Sequence, residues 1–114
     1  HIHIGETLES ALRREWQEEM GTEIKCQRML WTEECFWEWK GRMAHNLSFY
    51  FLIELTDDAV LPDDGLLHSH KDNSQIVLEW MTPEEMKKTV IYPGFIKNEM
   101  DCLDGPMKHF VTYA

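Results

Sequence analysis

At 114 residues and 43% hydrophobic content, the chain can bury one core and little more, so a single domain over residues 1–114 is expected. The formal net charge of -10, from 21 acidic residues against 11 Lys plus Arg, repels a phosphate backbone and argues against nucleic acid as a partner bound through a basic face. No apolar run approaches the roughly 18 residues of a membrane span and nothing reads as a signal peptide, while Cys26, Cys35 and Cys102 lack any C-x-x-C spacing; a cytoplasmic protein with reduced thiols, no membrane partner, no disulfide framework and no zinc ribbon is expected.

The chain opens at His1-Ile2-His3-Ile4-Gly5 without an initiating methionine, which reads as the start of a fragment. The first periodic segment runs from Thr7 to Met20, with Thr7 placed as a helix cap, Gly21 as a C-terminal stop and no internal Pro or Gly. Aromatic and β-branched residues are then dense in Ile24 to Trp31, Cys35 to Trp39 and Ala44 to Leu55, which predicts three strands, the last two joined by a hairpin turn at Lys40-Gly41-Arg42. Thr56 to Ser74 carries Asp57, Asp58, Asp63, Asp64, Gly65 and Asp72 with little periodicity and reads as a long surface loop whose acids are solvated. Strand character returns from Gln75 to Met81. Thr82-Pro83-Glu84-Glu85 then fits a capping box with proline at the first helical position, predicting a short helix to about Lys88. Tyr92-Pro93-Gly94 breaks the chain, Phe95 to Leu103 is read as a last helix, and a Gly105-Pro106 turn leads to a tail from His109 to Ala114. Helices and strands interspersed in this way predict a mixed α/β domain.

The chemistry concentrates on the first helix. At about 100° per residue, Leu8, Ala11 and Leu12 mark one face, and Glu15 and Glu19 project onto the same face further along. Glu18 flanks that stripe, so three carboxylates gather near a helix C-terminus, where they repel one another and oppose the macrodipole. Acids on a solvated face would be screened by water. Acids on an inward-leaning face need an opposite charge, and hard Mg²⁺ or Mn²⁺ suits oxygen ligands. Arg14 can neutralise part of the charge by meeting Glu18 one turn away or by reaching other acids. Spacing alone leaves the solvated face and the metal site both open.

The literal string Gly5-Glu6-Thr7-Leu8-Glu9-Ser10-Ala11-Leu12-Arg13-Arg14-Glu15-Trp16-Gln17-Glu18-Glu19-Met20-Gly21 resembles the Nudix box, G-x5-E-x7-R-E-U-x-E-E-x-G-U with U a bulky aliphatic residue. Glu6, Arg14-Glu15, Glu18-Glu19 and Gly21 fall in register. The box's leading glycine would stand immediately before His1, Trp16 fills an aliphatic position, Thr22 takes the last hydrophobic one with Ile24 as its substitute, and His3 stands where relatives place an acid. A strand ending at Glu79-Trp80 before a capped helix also resembles the family pattern. The resemblance implies a Nudix-type α/β/α sandwich with a mixed sheet, lacking in this chain the strands that precede the box. It implies hydrolysis of a pyrophosphate bond in a nucleoside diphosphate derivative, such as a nucleoside triphosphate, a dinucleoside polyphosphate or an ADP-ribose type substrate. Glu15, Glu18 and Glu19 should hold Mg²⁺ (or Mn²⁺), Arg14 should orient a carboxylate, Glu6 should support the loop-helix-loop, and Glu18 or else Glu79 should act as general base. A homodimer is compatible with it.

Other residues carry weaker signals. Trp31, Phe36, Trp37, Trp39, Tyr50 and Trp80 suggest base stacking, but core packing is the preferred reading for most. His68-Ser69-His70 lacks acids or thiols at ligand spacing and reads as surface. His1 and His3 could face a phosphate, or merely alternate in a short strand. Two readings compete with the hydrolase: a non-catalytic nucleotide-binding or regulatory module of the same fold, and an acidic α/β interaction domain with no metal.

Overall fold

The computed structural model describes residues 1–56, 66–68, 77–79 and 81–113, the two short segments as backbone alone. His1–Cys26 with Ile53–Met81 form one compact unit, and Gln27–Leu52 with Thr82–Ala114 another.

In the first unit, helix α1 spans Leu8–Met20. Thr7 sits in extended backbone at the N-cap, its side chain accepting from the Ser10 backbone N–H at 3.1 Å, and the Ser10 hydroxyl accepts in return from the Thr7 N–H at 2.9 Å. A serine therefore completes the capping box in the position where Glu or Gln is usual. The helix stops at Gly21, which adopts φ 70° and donates its N–H to the Gln17 carbonyl at 2.9 Å, a left-handed conformation that a side chain would strain. Ala11, Met20 and Ile24 are buried in this unit. The Trp16 indole N–H donates to Thr22 Oγ1 at 2.9 Å, so this half-buried aromatic residue is held by a hydrogen bond. His1 to Gly5 do not form the short strand considered for them. Backbone strands β3 (Leu66–His68) and β4 (Val77–Glu79) pair antiparallel, with Leu66 opposite Glu79 and His68 opposite Val77. The expected long loop thus contains a strand, and Asp57, Asp58, Asp63, Asp64, Ser69, His70 and Trp80 lie outside the described residues.

Strand β1 runs unbroken over Ile24–Trp39, and β2 over Arg42–Leu55. The turn between them is Lys40-Gly41, with φ 51° and 76°, and Arg42 already belongs to β2. Two consecutive positive φ values match the twist of a tight hairpin, and so short a connection joins only antiparallel strands. The tail contributes a further strand, β5 (Lys108–Tyr113), giving the sheet order β2-β1-β5 with β5 parallel to β1, Trp31 opposite Lys108 and Phe36 opposite Tyr113. The sheet is therefore mixed. Helix α2 (Pro83–Lys87) carries the capping box of Thr82 and Glu85, and α3 (Phe95–Glu99) tightens into a 3₁₀ turn at Met100–Cys102 instead of continuing as one helix to Leu103. No helix among the described residues is long and apolar enough to cross a membrane.

The predicted gap at Thr32 to Glu34 does not exist, and the second unit shows why. Glu33 is 3% exposed and accepts hydrogen bonds from the Tyr50 hydroxyl at 2.8 Å and the Thr112 hydroxyl at 2.6 Å. Burial, reinforced by this bond, pushes the Tyr50 pKa well above its usual value. Beside it lie Trp31, Tyr50, Phe95 and Phe110, with Phe95 stacked on Phe110 at 4.0 Å and meeting Trp31 and Tyr50 edge-on at 5.6 and 5.7 Å. Aromatic pairs of this kind contribute about 0.5–1.5 kcal/mol each beyond the area they bury. Thr32 and Glu34, at the alternate positions of β1, engage His109 at its Nδ1 and Nε2 respectively, the latter at 3.0 Å, and His45 Nε2 lies 3.6 Å from Glu34. Phe36 stacks between His45 at 4.2 Å and Tyr113 at 5.4 Å. Trp39 is 55% exposed, its ring beneath the Lys40 ammonium at 4.5 Å.

Because two hydroxyl donors converge on one buried carboxylate, Glu33→Ala should lower unfolding free energy by about 2–3 kcal/mol, leaving both donors unmet. Glu33→Gln keeps an acceptor in place and should lose less, a difference that denaturant midpoints would show.

Candidate functional site

The candidate side chains are set out by α1 and the segment leading into it. Arg14, in the middle of the helix, points back past the N-cap and grips Glu6 with two nitrogens, Nε to Oε2 at 2.8 Å and Nη2 to Oε1 at 3.1 Å. Nη2 also donates to the His1 carbonyl at 2.7 Å and lies 3.5 Å from Glu15 Oε1. Nη1 donates to Glu18 Oε1 at 3.2 Å. One guanidinium thus engages Glu6, Glu15 and Glu18 together, a task suited to the planar fork of arginine and beyond the single nitrogen of lysine.

Glu6 is braced further by the His3 backbone N–H at 2.8 Å, and its own N–H donates to the His3 carbonyl at 3.0 Å. The Arg14 bond, followed by the His3 N–H, draws the Glu6 carboxyl down to about 2. The same contact raises the Arg14 pKa further above its already high value. Glu6 and Arg14 are 19% and 24% exposed. Farther along, Glu15 is 33% exposed, Glu18 is 41% exposed, and Glu19 is half-buried. There is no basic residue in the last turn of α1. Glu15 and Glu18 both meet Arg14, which precedes them in the helix.

The donor chemistry suits a hard divalent cation. Glu15, Glu18 and Glu19 offer carboxylate oxygens on successive turns of one helix, partly exposed, and two of them already meet the Arg14 guanidinium. Among the described residues, no three His, Cys, Asp or Glu side chains are gathered closely enough to share a metal as they stand. Arg14 occupies that role for Glu15 and Glu18. Glu79 falls within β4, opposite Leu66, and its side chain lies outside the described residues. His68 is the partner of Val77 in β3.

Sequence reasoning left open which acids Arg14 would meet. The principal partner, Glu6, precedes the helix cap, where helical periodicity does not apply. Only the turn that brings residues 3 and 6 together carries its carboxylate under the guanidinium.

The sequence matches the model of one protein family, the NUDIX domain, over residues 1–98. No curated protein matches it.

A carboxyl whose pKa is depressed by folding stabilises the fold at every pH above its unfolded value, and that contribution is withdrawn as pH falls through the folded value. For Glu6 the window runs from the ordinary glutamate value of 4.5 down to about 2. Glu6→Gln should therefore flatten the acid limb of a stability profile across that window, measured by circular dichroism. An acid limb identical to that of the parent would remove the Glu6–Arg14 pair from the account.

Proposed function

The chain belongs to the NUDIX domain family, and from that membership we propose that it is a pyrophosphohydrolase dependent on Mg²⁺ or Mn²⁺ and acting on a nucleoside diphosphate derivative. Nucleoside triphosphates, dinucleoside polyphosphates and ADP-ribose type compounds form its substrate class. The observation that carries this reading is the set of carboxylates on α1 organised about one anchored arginine.

Glu15, Glu18 and Glu19 would hold the cation, since all three present hard oxygen donors on one helix. When bound, such an ion supplies positive charge against the pyrophosphate oxygens and makes water easier to deprotonate. The chain's own groups do the rest. Glu18, more exposed than Glu6 and Glu15, takes the proton from the attacking water, with Glu79 as the alternative base. Arg14 fixes the Glu18 carboxylate through Nη1 while Glu6 fixes Arg14, so proton acceptor, guanidinium and anchor form one connected chain. The net charge of -10 leaves a cation as the natural means of drawing a polyphosphate to this helix.

One observation favours a second reading, a module of the same fold that binds a nucleotide without cutting it: the acids are not gathered into a metal-ready group among the described residues. The two readings separate cleanly. A hydrolase releases a nucleoside monophosphate from a nucleotide pyrophosphate panel only when Mg²⁺ or Mn²⁺ is added, whereas a binder shows nucleotide binding in calorimetry with no product and no metal requirement.

Removal of a positioned general base typically costs 10²–10⁴-fold in rate, so Glu18→Gln should lower kcat by about that factor. Its melting temperature in EDTA should change little, because Glu18 is exposed. Full turnover by this variant would sink the assignment.

A further inference from the structure

Arg14 stands in an unusual relation to the acids it serves. Its Nε and Nη2 are committed to Glu6 at 2.8 and 3.1 Å, and Nη2 is committed again to the His1 carbonyl at 2.7 Å. What remains faces the candidate metal ligands, with Nη1 on Glu18 at 3.2 Å and Nη2 beside Glu15 at 3.5 Å. The guanidinium is therefore tethered. It cannot swing clear of Glu15 and Glu18 without leaving Glu6, and Glu6 stays ionised far into acid.

Resting on the reading of α1 as the metal-carrying helix, we propose that Arg14 is the resident counter-ion of that site, stabilising the metal-free helix while competing with the divalent cation for Glu15 and Glu18. The argument is electrostatic. Carboxylates one turn apart at a helix C-terminus repel each other and oppose the macrodipole, and the last turn of α1 has no basic residue to relieve them. A fixed positive charge in contact with two of them relieves that repulsion in the absence of metal. The same charge repels a divalent ion approaching those oxygens, and it already occupies Oε1 of Glu18. Both effects act at contact distance in a half-exposed site, where charge interactions exceed those in bulk water several-fold.

An arginine that only orients ligands makes the opposite prediction. Its removal would disorder Glu18 and weaken cation binding. A resident counter-ion, once removed, leaves a helix that is less stable alone and more avid for metal. The sign of the change in affinity thus decides between the two roles.

The experiment uses Mn²⁺ or Mg²⁺ alone as the probe, with Kd from calorimetry and melting temperatures in cation and in EDTA, for the parent chain, Arg14→Gln, Arg14→Lys and Glu18→Gln. Arg14→Gln should bind the cation about tenfold more tightly than the parent while melting lower in EDTA, so that the melting rise on adding cation is larger. Arg14→Lys keeps a charge near Glu6 but cannot span Glu6 and Glu18 together, so its affinity should fall between the two, and it decides the matter if Arg14→Gln does not fold. Equal or weaker binding by the folded arginine variants overturns the proposal. If Glu18→Gln also weakens binding, the metal site itself stands and only the counter-ion role is lost. A parent chain that binds neither cation overturns the metal-dependent reading, and this inference with it.

Discussion

The fork between Glu6 and Arg14 is the contact on which the first unit's chemistry depends. It lies across the start of α1, joining a residue before the cap to one in the middle of the helix, and it fixes a permanent positive charge among carboxylates that would otherwise repel. Further contacts of the candidate site lead from it. His3 braces its acidic half, and Glu15 and Glu18 attach to its basic half. Although the residues involved are partly exposed, the arrangement is more than a surface ion pair of negligible worth, because one guanidinium meets three acids in a connected network.

The two units handle acidic side chains in contrasting ways. In the first, acids are kept near water and given a guanidinium. In the second, Glu33 is taken out of water and given two hydroxyls, Tyr50 from β2 and Thr112 from β5. A carboxylate bonded from both flanking strands ties the sheet together at one level, since a shift of either neighbour by one residue would turn its hydroxyl to the opposite face. The aromatic group of Trp31, Tyr50, Phe95 and Phe110 supplies bulk on the same side, and the acid adds directional constraint that apolar packing lacks.

Much of the fold was legible wherever the deciding interaction is local. The limits of α1 follow from Thr7 and Gly21, those of α2 from Thr82 and Pro83, and the hairpin from Lys40-Gly41, each a matter of a few neighbouring residues. What escaped is governed by distant partners. Thr32, Glu33 and Glu34 look like an interruption between strands because their hydrogen-bonding partners His109 and Thr112 lie 75 to 79 positions away in the chain. Strand β5 was read as a tail even though Phe110, Val111 and Thr112 carry a strand-like composition, and β3 was hidden within an acidic stretch. At the candidate site the spacing of the glutamates was readable, along with the family that the NUDIX domain match establishes. The partner of Arg14 was not, since Glu6 lies before the helix, where the helical period does not reach.

The parallel alignment of β1 with β5 has a bearing on how the chain is made. Trp31 is opposite Lys108 and Phe36 opposite Tyr113, so the central strand acquires its second neighbour only after the intervening residues have been synthesised. Pairings so distant are slow to form, because the loop must close before they contribute. During emergence from the ribosome, the hairpin of β1 and β2 would exist for several seconds with Glu33 lacking its threonine donor and one strand edge bare, at typical rates of roughly 5–20 residues per second. That interval leaves one edge of β1 open to other nascent chains.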